Sequence, residues 1–209
     1  MALTTAQIQN AYVAFFNRPA DVAGLNYWSA YTGSLQALYN TFAQSSEYTG
    51  LFTSLNNTQK VNAIYTNLLG RTPDVAGLNY WVLQLDQAKV TTANLALAIV
   101  AGAQGTDATA ISNKVSAATT FTAALDTSAE VLNYASVNAT GLAAVKAWLA
   151  AVTDVASTLT TQTAASAIDT LNATLANNTT ANAGQTYTLT TGVDSVTGGA
   201  GNDTINGSD

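Results

Sequence analysis

The chain has 209 residues, of which 48% are apolar and only 9% are charged, so it can bury a full hydrophobic core beneath a mostly uncharged surface. The net charge is −6 and the six Lys and Arg residues are spread singly along the chain, which argues against a basic patch for nucleic acid or anionic lipid headgroups. Cysteine and histidine are both absent, which removes disulfides, thiolate zinc sites and Ser-His triads.

The N-terminal segment begins Met1-Ala2-Leu3 and contains neither a positively charged region nor an apolar stretch of the kind found in secretory signals. We therefore expect export, if it occurs, to proceed without a classical N-terminal signal. No uninterrupted apolar run of membrane-spanning length occurs in the sequence, and we expect no membrane insertion.

An internal duplication is the dominant feature of the first half of the chain. Residues 21–28, Asp-Val-Ala-Gly-Leu-Asn-Tyr-Trp, recur identically at residues 74–81, an offset of 53 positions. Arg18 and Arg71 precede the two copies at the same offset. Each copy predicts a helix, a short turn with Arg and Pro, and a second helix capped by Asp.

The first helix of each copy is predicted from apolar residues at helical spacing. The pattern predicts helices over about 5–16 and 58–69, with a capping box formed by Thr4 and Gln7 and with Gly70 ending the second of them. The motif residues that follow have a structural interpretation in which Asp21 and Asp74 cap helices, Gly24 and Gly77 allow close packing, Trp28 and Trp81 fill the core, and each Arg pairs with a carboxylate or a helix end.

A second interpretation gives the motif a binding role, in which two pseudo-equivalent sugar sites face solvent. The residues predicted to form them are Asn26, Tyr27, Asn79 and Tyr80. Aromatic rings stack on the apolar face of a pyranose ring, while amides exchange hydrogen bonds with its hydroxyl groups. Both interpretations remain open at the level of sequence.

Further amphipathic helices are predicted down to residue 176. Their approximate bounds are 34–44, 91–103, 107–125, 127–136, 140–152 and 163–176, with caps at Ser34, Thr92, Thr127 and Thr163. Residues 177–184 form a polar linker, and short strands are predicted around Tyr187, Leu189, Val193, Val196 and Ile205. The predicted fold is mainly α, a multi-helix domain over 1–176 with duplicated units at about 5–56 and 58–105, followed over 185–209 by the start of a parallel β-roll.

The β-roll is predicted from a glycine-rich nonapeptide at residues 198–206, Gly-Gly-Ala-Gly-Asn-Asp-Thr-Ile-Asn. Its glycines permit tight turns, its aspartate offers a carboxylate to Ca²⁺, and Ile205 points into the roll. Cations in such a roll lie between turns about two nonapeptides apart. The sequence stops within the next repeat, which leads us to expect the N-terminal fragment of a longer protein. An ordinary Gly/Asn/Asp loop is the alternative.

The chain resembles known groups of bacterial proteins. Residues 69–81, with 102–107 downstream, are similar to an uncharacterised helical domain common in secreted repeat-containing proteins, and the Arg-x-Pro-Asp signature is also seen in phycobilisome linker proteins. The first seven residues and residues 187–194 resemble the start and the helix-to-roll junction of RTX-type surface-layer (S-layer) proteins of Gram-negative bacteria.

The surface-layer resemblance implies an extracellular protein whose helical domain anchors the layer to the O-polysaccharide of lipopolysaccharide, and whose Ca²⁺-loaded roll leads to self-assembly into a lattice. It implies Ca²⁺ ligands at Asp194, Gly199, Gly201, Asp203 and Asp209. Proteins with such repeats leave the cell by a one-step route read from the C-terminus.

Two other functions remain open. The chain could be an accessory module of a secreted repeat-containing enzyme or adhesin, or a protein–protein interaction module. We expect no catalysis by these residues, because the twelve carboxylates are dispersed and no pair has the surroundings of a general acid and base.

Overall fold

The computed structural model describes residues 2–135, 139–156, 186–188 and 204–206. These residues form ten helices and two short strands. The helices are α1 (Thr5–Phe16), α2 (Val22–Ala30), α3 (Leu35–Ala43), α4 (Ser46–Phe52), α5 (Asn57–Leu69), α6 (Val75–Asp86), α7 (Thr92–Gly102), α8 (Gly105–Ala124), α9 (Ser128–Ala135) and α10 (Ala139–Ala150), and the strands are β1 (Thr186–Thr188) and β2 (Thr204–Asn206). The predicted mainly helical fold is confirmed for this part of the chain.

The duplication extends over four helices in each copy. Helices α1 to α4 correspond in order to α5 to α8, and the offset between their first residues grows from 52 at the first helix to 59 at the fourth, mainly because α5, α6 and α7 are longer than α1, α2 and α3. Helix α4 was not predicted from the sequence. The second unit was predicted to end near residue 105, where its fourth helix, α8, begins.

Side-chain caps fix where most of these helices begin. Thr4 and Gln7 form the predicted capping box, and Asp21 and Asp74 cap α2 and α6 as expected. Gly70 ends α5 with a left-handed φ of 70°, which glycine adopts without steric cost. One predicted cap is wrong: α7 is capped by Thr91 rather than by Thr92.

The core is built around the first helices of the two copies. Helix α1 packs against α5 and α8, and α3 packs against α7, so two helices meet their own counterparts across the boundary between the units. An aromatic cluster fills the centre, with Tyr12, Phe15 and Phe42 in edge contact at ring-centroid distances of 4.9–6.4 Å. Helices α2 and α6 lie at the edge of this core: α2 buries only Trp28, and α6 has no fully buried residue but packs partly buried side chains such as Leu78 against the core.

The last two described helices, α9 and α10, contact the turn between α1 and α2 and helix α8. The hydroxyl of Tyr134 on α9 donates a hydrogen bond of 2.8 Å to the carbonyl of Pro19 in the turn between α1 and α2. Lys114, fully buried on α8, donates to the carbonyl of Leu149 at 3.2 Å, and the amide of Asn113 donates to the carbonyl of Thr153 at 2.8 Å. The end of α10 is therefore held on α8 by side chains of α8.

The two strands pair in parallel. Thr186, Tyr187 and Thr188 of β1 lie opposite Thr204, Ile205 and Asn206 of β2, a register offset of 18 residues. Strands around Tyr187 and Ile205 were predicted. The predicted helix at 163–176, the linker at 177–184 and the strands around Leu189, Val193 and Val196 lie outside the described residues.

No single described helix is long and apolar enough to cross a membrane; α7 and α8 reach that length and hydropathy only as a pair, which is bent by 110°.

Candidate functional site

The turn between α1 and α2 carries the first copy of the motif and is stabilised by a bidentate ion pair. The Nε and Nη2 atoms of Arg18 donate to the two carboxylate oxygens of Glu47 on α4 at 2.8 and 2.7 Å. The Nη1 atom donates to the carbonyl of Pro19 at 3.1 Å and lies 3.7 Å from Asp21. Only 15% of the Arg18 side chain is exposed, and it packs over the ring of Tyr12. Burial alone lowers the pKa of Arg18, but the hydrogen bonds to Glu47 raise it overall.

The turn between α5 and α6 has the same geometry. Arg71 makes a bidentate pair with Asp107 at 2.8 and 2.6 Å and donates to the carbonyl of Thr72 at 3.1 Å. Asp107 lies in the first turn of α8 as Glu47 lies in the first turn of α4, so the fourth helix of each unit supplies the carboxylate. The predicted pairing of each Arg with a carboxylate is confirmed. The partners, Glu47 and Asp107, were missed because their sequence separations from Arg differ, 29 and 36 residues.

A buried hydrogen-bond network supports the first turn. The side-chain amide of Gln9 donates to Thr122 Oγ1 at 2.9 Å, and its oxygen accepts from the backbone N–H of Ala20 at 3.0 Å. Thr122 Oγ1 lies 2.7 Å from the carbonyl of Ala20 and 3.0 Å from that of Ala118. Gln9 is fully buried, so this network fixes the turn against α8.

A cavity of about 460 Å³ opens beside the first turn. Its walls come from the turn, from α4 and from the covering helices α9 and α10. The residues that give it chemical character are Arg18, Asp21, Ser46, Glu47, Tyr134 and Lys146. Its apolar lining includes Leu51 of α4 and Leu142 of α10. A volume of this size lies in the range of about 300–1,000 Å³ found for small-molecule sites.

Lys146 contributes an ammonium group to this cavity. The side chain is half-buried, and desolvation lowers the pKa of Lys146, an effect that Glu47 opposes and Arg18 reinforces. No carboxylate of the described residues lies within ion-pair distance of it. Sequence reasoning missed Lys146, because a single Lys on an amphipathic helix carries no signal of its own.

The four residues predicted to contact sugar are all on the surface. Asn26 and Tyr27 lie on α2, and Asn79 and Tyr80 lie on α6, with 65% of Tyr27 and 55% of Tyr80 exposed. Each tyrosine makes an edge contact with the tryptophan that follows it, at ring-centroid distances of 5.0 and 4.9 Å. We call these two Asn-Tyr pairs, Asn26–Tyr27 and Asn79–Tyr80, the tyrosine shelves.

The tryptophans behind the shelves differ between the copies. Trp28 is buried against Phe42, as predicted. Trp81 does not fill the core as expected: it is only partly buried and donates a hydrogen bond of 3.1 Å from Nε1 to the hydroxyl of Tyr65. The reason is that α6 lies at the surface and buries no residue.

No group of three or more acidic, His or Cys side chains able to hold a metal ion occurs among the described residues. The predicted Ca²⁺ ligands Asp194, Gly199, Gly201, Asp203 and Asp209 all lie outside those residues.

The middle of the chain is similar to one family of known sequences. Residues 39–104 match a domain of unknown function, DUF4214. The matched stretch runs from α3 through α7 and contains the second copy of the motif, which confirms the predicted presence of a helical domain of unknown function. No curated protein and no solved structure matches the chain.

Proposed function

We propose that the helical part of this protein is a glycan-binding module that anchors a secreted, extracellular protein to the O-polysaccharide of lipopolysaccharide at the bacterial surface. The observation that carries the proposal is the pair of tyrosine shelves, which present the same side chains on equivalent helices. The proposed role is binding and attachment rather than catalysis.

The physical case rests on exposure and on repetition. An exposed aromatic ring keeps apolar surface in contact with water, so covering that surface is favourable. A sugar ring offers C–H groups that can cover the face of the tyrosine ring and hydroxyls that can bond to the neighbouring Asn amide. Tyr27 and Tyr80 are held by their edge contacts with Trp28 and Trp81, so little side-chain entropy is lost on binding. Two equivalent weak sites gain affinity together when their ligand is itself a repeating polymer.

The C-terminal segment belongs to the proposal as the start of a Ca²⁺-binding β-roll. Strands β1 and β2 pair in parallel with an offset of 18 residues, which is the length of two nonapeptides. This offset supports a β-roll in which one full coil contains two nonapeptides. Asp194, Gly199, Gly201, Asp203 and Asp209 would hold Ca²⁺ through carboxylate and carbonyl oxygens. The proposed role of this roll is to lead to lattice contacts between copies of the protein.

The test is binding of the protein to smooth lipopolysaccharide and to rough lipopolysaccharide lacking O-polysaccharide, each with Ca²⁺ and with a chelator. We expect binding to the smooth form only. The absence of binding to either form, with or without Ca²⁺, would refute the anchor function.

Variants of the shelves assign the binding surface. Tyr27→Ala and Tyr80→Ala should each weaken binding to smooth lipopolysaccharide by roughly tenfold, the loss of one stacking contact of about 1 kcal/mol or more. Tyr27→Phe keeps the ring and should retain most of the affinity, which separates stacking from hydrogen bonding. Unchanged binding by the Tyr27→Ala/Tyr80→Ala double variant would move recognition elsewhere.

A protein partner is the second candidate, and the exposed apolar face of α6 favours it. Val75 is 77% exposed and Leu83 is 50% exposed, on the helix that also carries Tyr80. Isolated exposed apolar residues are common, but a contiguous exposed apolar patch is typical of a docking surface, and these three side chains share one helix. Leu83→Ser would leave sugar stacking intact and weaken a protein contact, so this variant distinguishes the two functions.

A further inference from the structure

The cavity beside the first turn is formed by elements that the duplication alone does not supply. Its wall on one side is the repeated unit, with Arg18 and Asp21 from the turn and Glu47 from α4. The opposite wall is α9 and α10, which follow the second unit in the chain. The turn of the second unit remains open, since 46% of the Arg71 side chain is exposed. The cavity therefore belongs to the first unit and is not a by-product of the repeated fold.

The charges around the cavity balance. Arg18 and Lys146 carry two positive charges, and Asp21 and Glu47 carry two negative charges. An anionic ligand would approach two carboxylates, and a cationic ligand would approach a guanidinium and an ammonium group. A neutral ligand avoids both penalties.

Several polar groups at the cavity have hydrogen-bonding capacity to spare. Asp21 Oδ1 accepts from the N–H of Gly24 at 2.7 Å, while its Oδ2 lies 3.7 Å from Arg18, beyond a hydrogen bond. The ammonium of Lys146 supplies three donors, and the exposed Ser46 hydroxyl can donate and accept. The cavity therefore places hydrogen-bond acceptors next to hydrogen-bond donors. Sugar hydroxyls suit such a site, because each hydroxyl can both donate and accept a hydrogen bond.

Apolar side chains on both sides of the cavity add to its lining. Leu51 and Leu142 line it, and Leu51 is 41% exposed. A Cβ added at Gly50 would meet no atom within 4 Å, so the cavity is open at this point of α4. Apolar side chains beside polar groups suit a pyranose ring, which offers C–H groups on its faces and hydroxyl groups around its rim.

We propose that this cavity binds a neutral pyranose residue, with Asp21 and Lys146 hydrogen-bonded to its hydroxyls and with Leu51 and Leu142 in contact with its C–H groups. The inference rests on the proposed glycan-binding function and adds a third contact to the two tyrosine shelves. Helix α2 connects the sites, because its cap Asp21 lies at the cavity and Tyr27 follows about 9 Å further along the helix axis. The cavity selects an uncharged sugar, whereas the shelves supply stacking with little selectivity.

The test uses ligand-observed NMR on the whole chain with methyl glycosides of glucose, galactose, mannose and N-acetylglucosamine as neutral probes, and with glucuronate and glucosamine as charged comparators. At least one neutral sugar should bind more tightly than either charged comparator. The proposal is overturned if no neutral sugar binds, or if glucuronate or glucosamine binds equally well at the same place.

Gly50 provides a blocking variant with a matched control. Gly50→Phe places a ring in the open part of the cavity and should lower sugar affinity at least tenfold, whereas Gly50→Ala should leave it within about twofold. Lys146→Gln should weaken binding roughly tenfold through the loss of a charged donor. Unchanged circular dichroism and an unchanged urea midpoint would show that each variant is folded. Sugar binding that survives Gly50→Phe would refute the assigned location.

The outcomes separate this inference from the proposed function. Smooth lipopolysaccharide that binds wild type and Gly50→Phe equally well would leave the anchor function standing and remove the cavity from it. Neutral sugars that bind in a Gly50-dependent manner, without any binding of smooth lipopolysaccharide, would leave the cavity site standing and remove the anchor function.

Discussion

The two copies of the motif share eight consecutive residues and the same ion-pair geometry, but they lie in different surroundings. In the first copy Arg18 is covered by α9 and α10, and a buried network through Gln9 and Thr122 fixes the turn. In the second copy Arg71 and Asp107 form the same pair in contact with solvent. The comparison shows that the motif specifies a turn and that other helices decide whether the turn becomes the wall of a cavity.

The largest expected difference between the copies is in the two arginines. Arg18→Met should lower the free energy of unfolding by about 3 kcal/mol, because it leaves the partly buried carboxylate of Glu47 without its bidentate partner and removes one of the two donors to the carbonyl of Pro19. Arg71→Met should cost less than about 1 kcal/mol, since an exposed pair is screened by water. Urea denaturation measures both. Equal losses would mean that the cover by α9 and α10 contributes nothing.

The attachment of the covering helices can be tested through Lys114. Desolvation lowers the pKa of this buried lysine from its ordinary value of 10.5 to about 8. The unfolded chain therefore binds the proton more tightly, and the free energy of unfolding should rise by about 2 kcal/mol between pH 7 and 9.5.

Lys114→Met should remove most of that rise and stabilise the protein at pH 7, because an apolar side chain of similar length replaces a desolvated charge. A smaller rise should remain, since desolvation also lowers the pKa of Lys146. This rise in the free energy of unfolding should end below pH 10. Burial raises the pKa of Tyr12 to about 12, so such tyrosines ionise first in the unfolded chain, and the free energy of unfolding then falls as the pH rises further. A wild-type protein with no pH dependence between 7 and 9.5 would contradict a desolvated Lys114.

The two glycines of the motif should respond differently to the same substitution. A Cβ at Gly24 would overlap the hydroxyl of buried Tyr12, so Gly24→Ala should cost about 1–2 kcal/mol. At Gly77 the nearest atoms are Asp74 Oδ1 at 3.3 Å and the hydroxyl of Tyr65 at 3.7 Å. There the tight contact offsets a gain in helix propensity of about 0.5–1 kcal/mol, and Gly77→Ala should be near neutral. Thermal unfolding of the two variants decides the point, and a loss at Gly77 as large as that at Gly24 would contradict it.

The smallest effects on stability are expected at the tyrosine shelves. Tyr27→Ala and Tyr80→Ala should each change the free energy of unfolding by less than about 0.5 kcal/mol, because both rings are mainly exposed. Their effect should instead be seen in glycan binding. A destabilisation of more than about 2 kcal/mol at either position would identify that tyrosine as a structural residue.

Local signals in the sequence predicted most of the helices but not helix α4. The capping residues Thr4, Asp21 and Asp74 marked helix starts because a cap acts on the backbone within three residues. Helix α4 was missed because its seven residues include Gly50 and give too short an apolar pattern. The signal that could have found it is the cap Ser45 followed by Tyr48 and Phe52, whose rings stack at 4.5 Å.

One part of the candidate site could be predicted from local sequence and the other part could not. The tyrosine shelves were predicted because Asn and Tyr stand side by side in a repeated octapeptide. The cavity was not predicted, since Asp21, Glu47 and Lys146 belong to three separate helical regions. No spacing rule connects residues that meet only when α10 folds back over the first unit.

The sequence alone determined the duplicated turn, the helix caps and the exposed Asn-Tyr pairs, because each depends on side chains within a few residues of one another. The tertiary structure decided which turn was covered, which tryptophan was buried and where a cavity formed. The cover of the first turn and the cavity depend on the packing of α9 and α10, whereas the burial of Trp28 depends on its contact with Phe42 of α3. Packing energy of this kind comes from contacts between residues far apart in the chain. Two identical octapeptides therefore acquired different surroundings, since the helices around them were not identical.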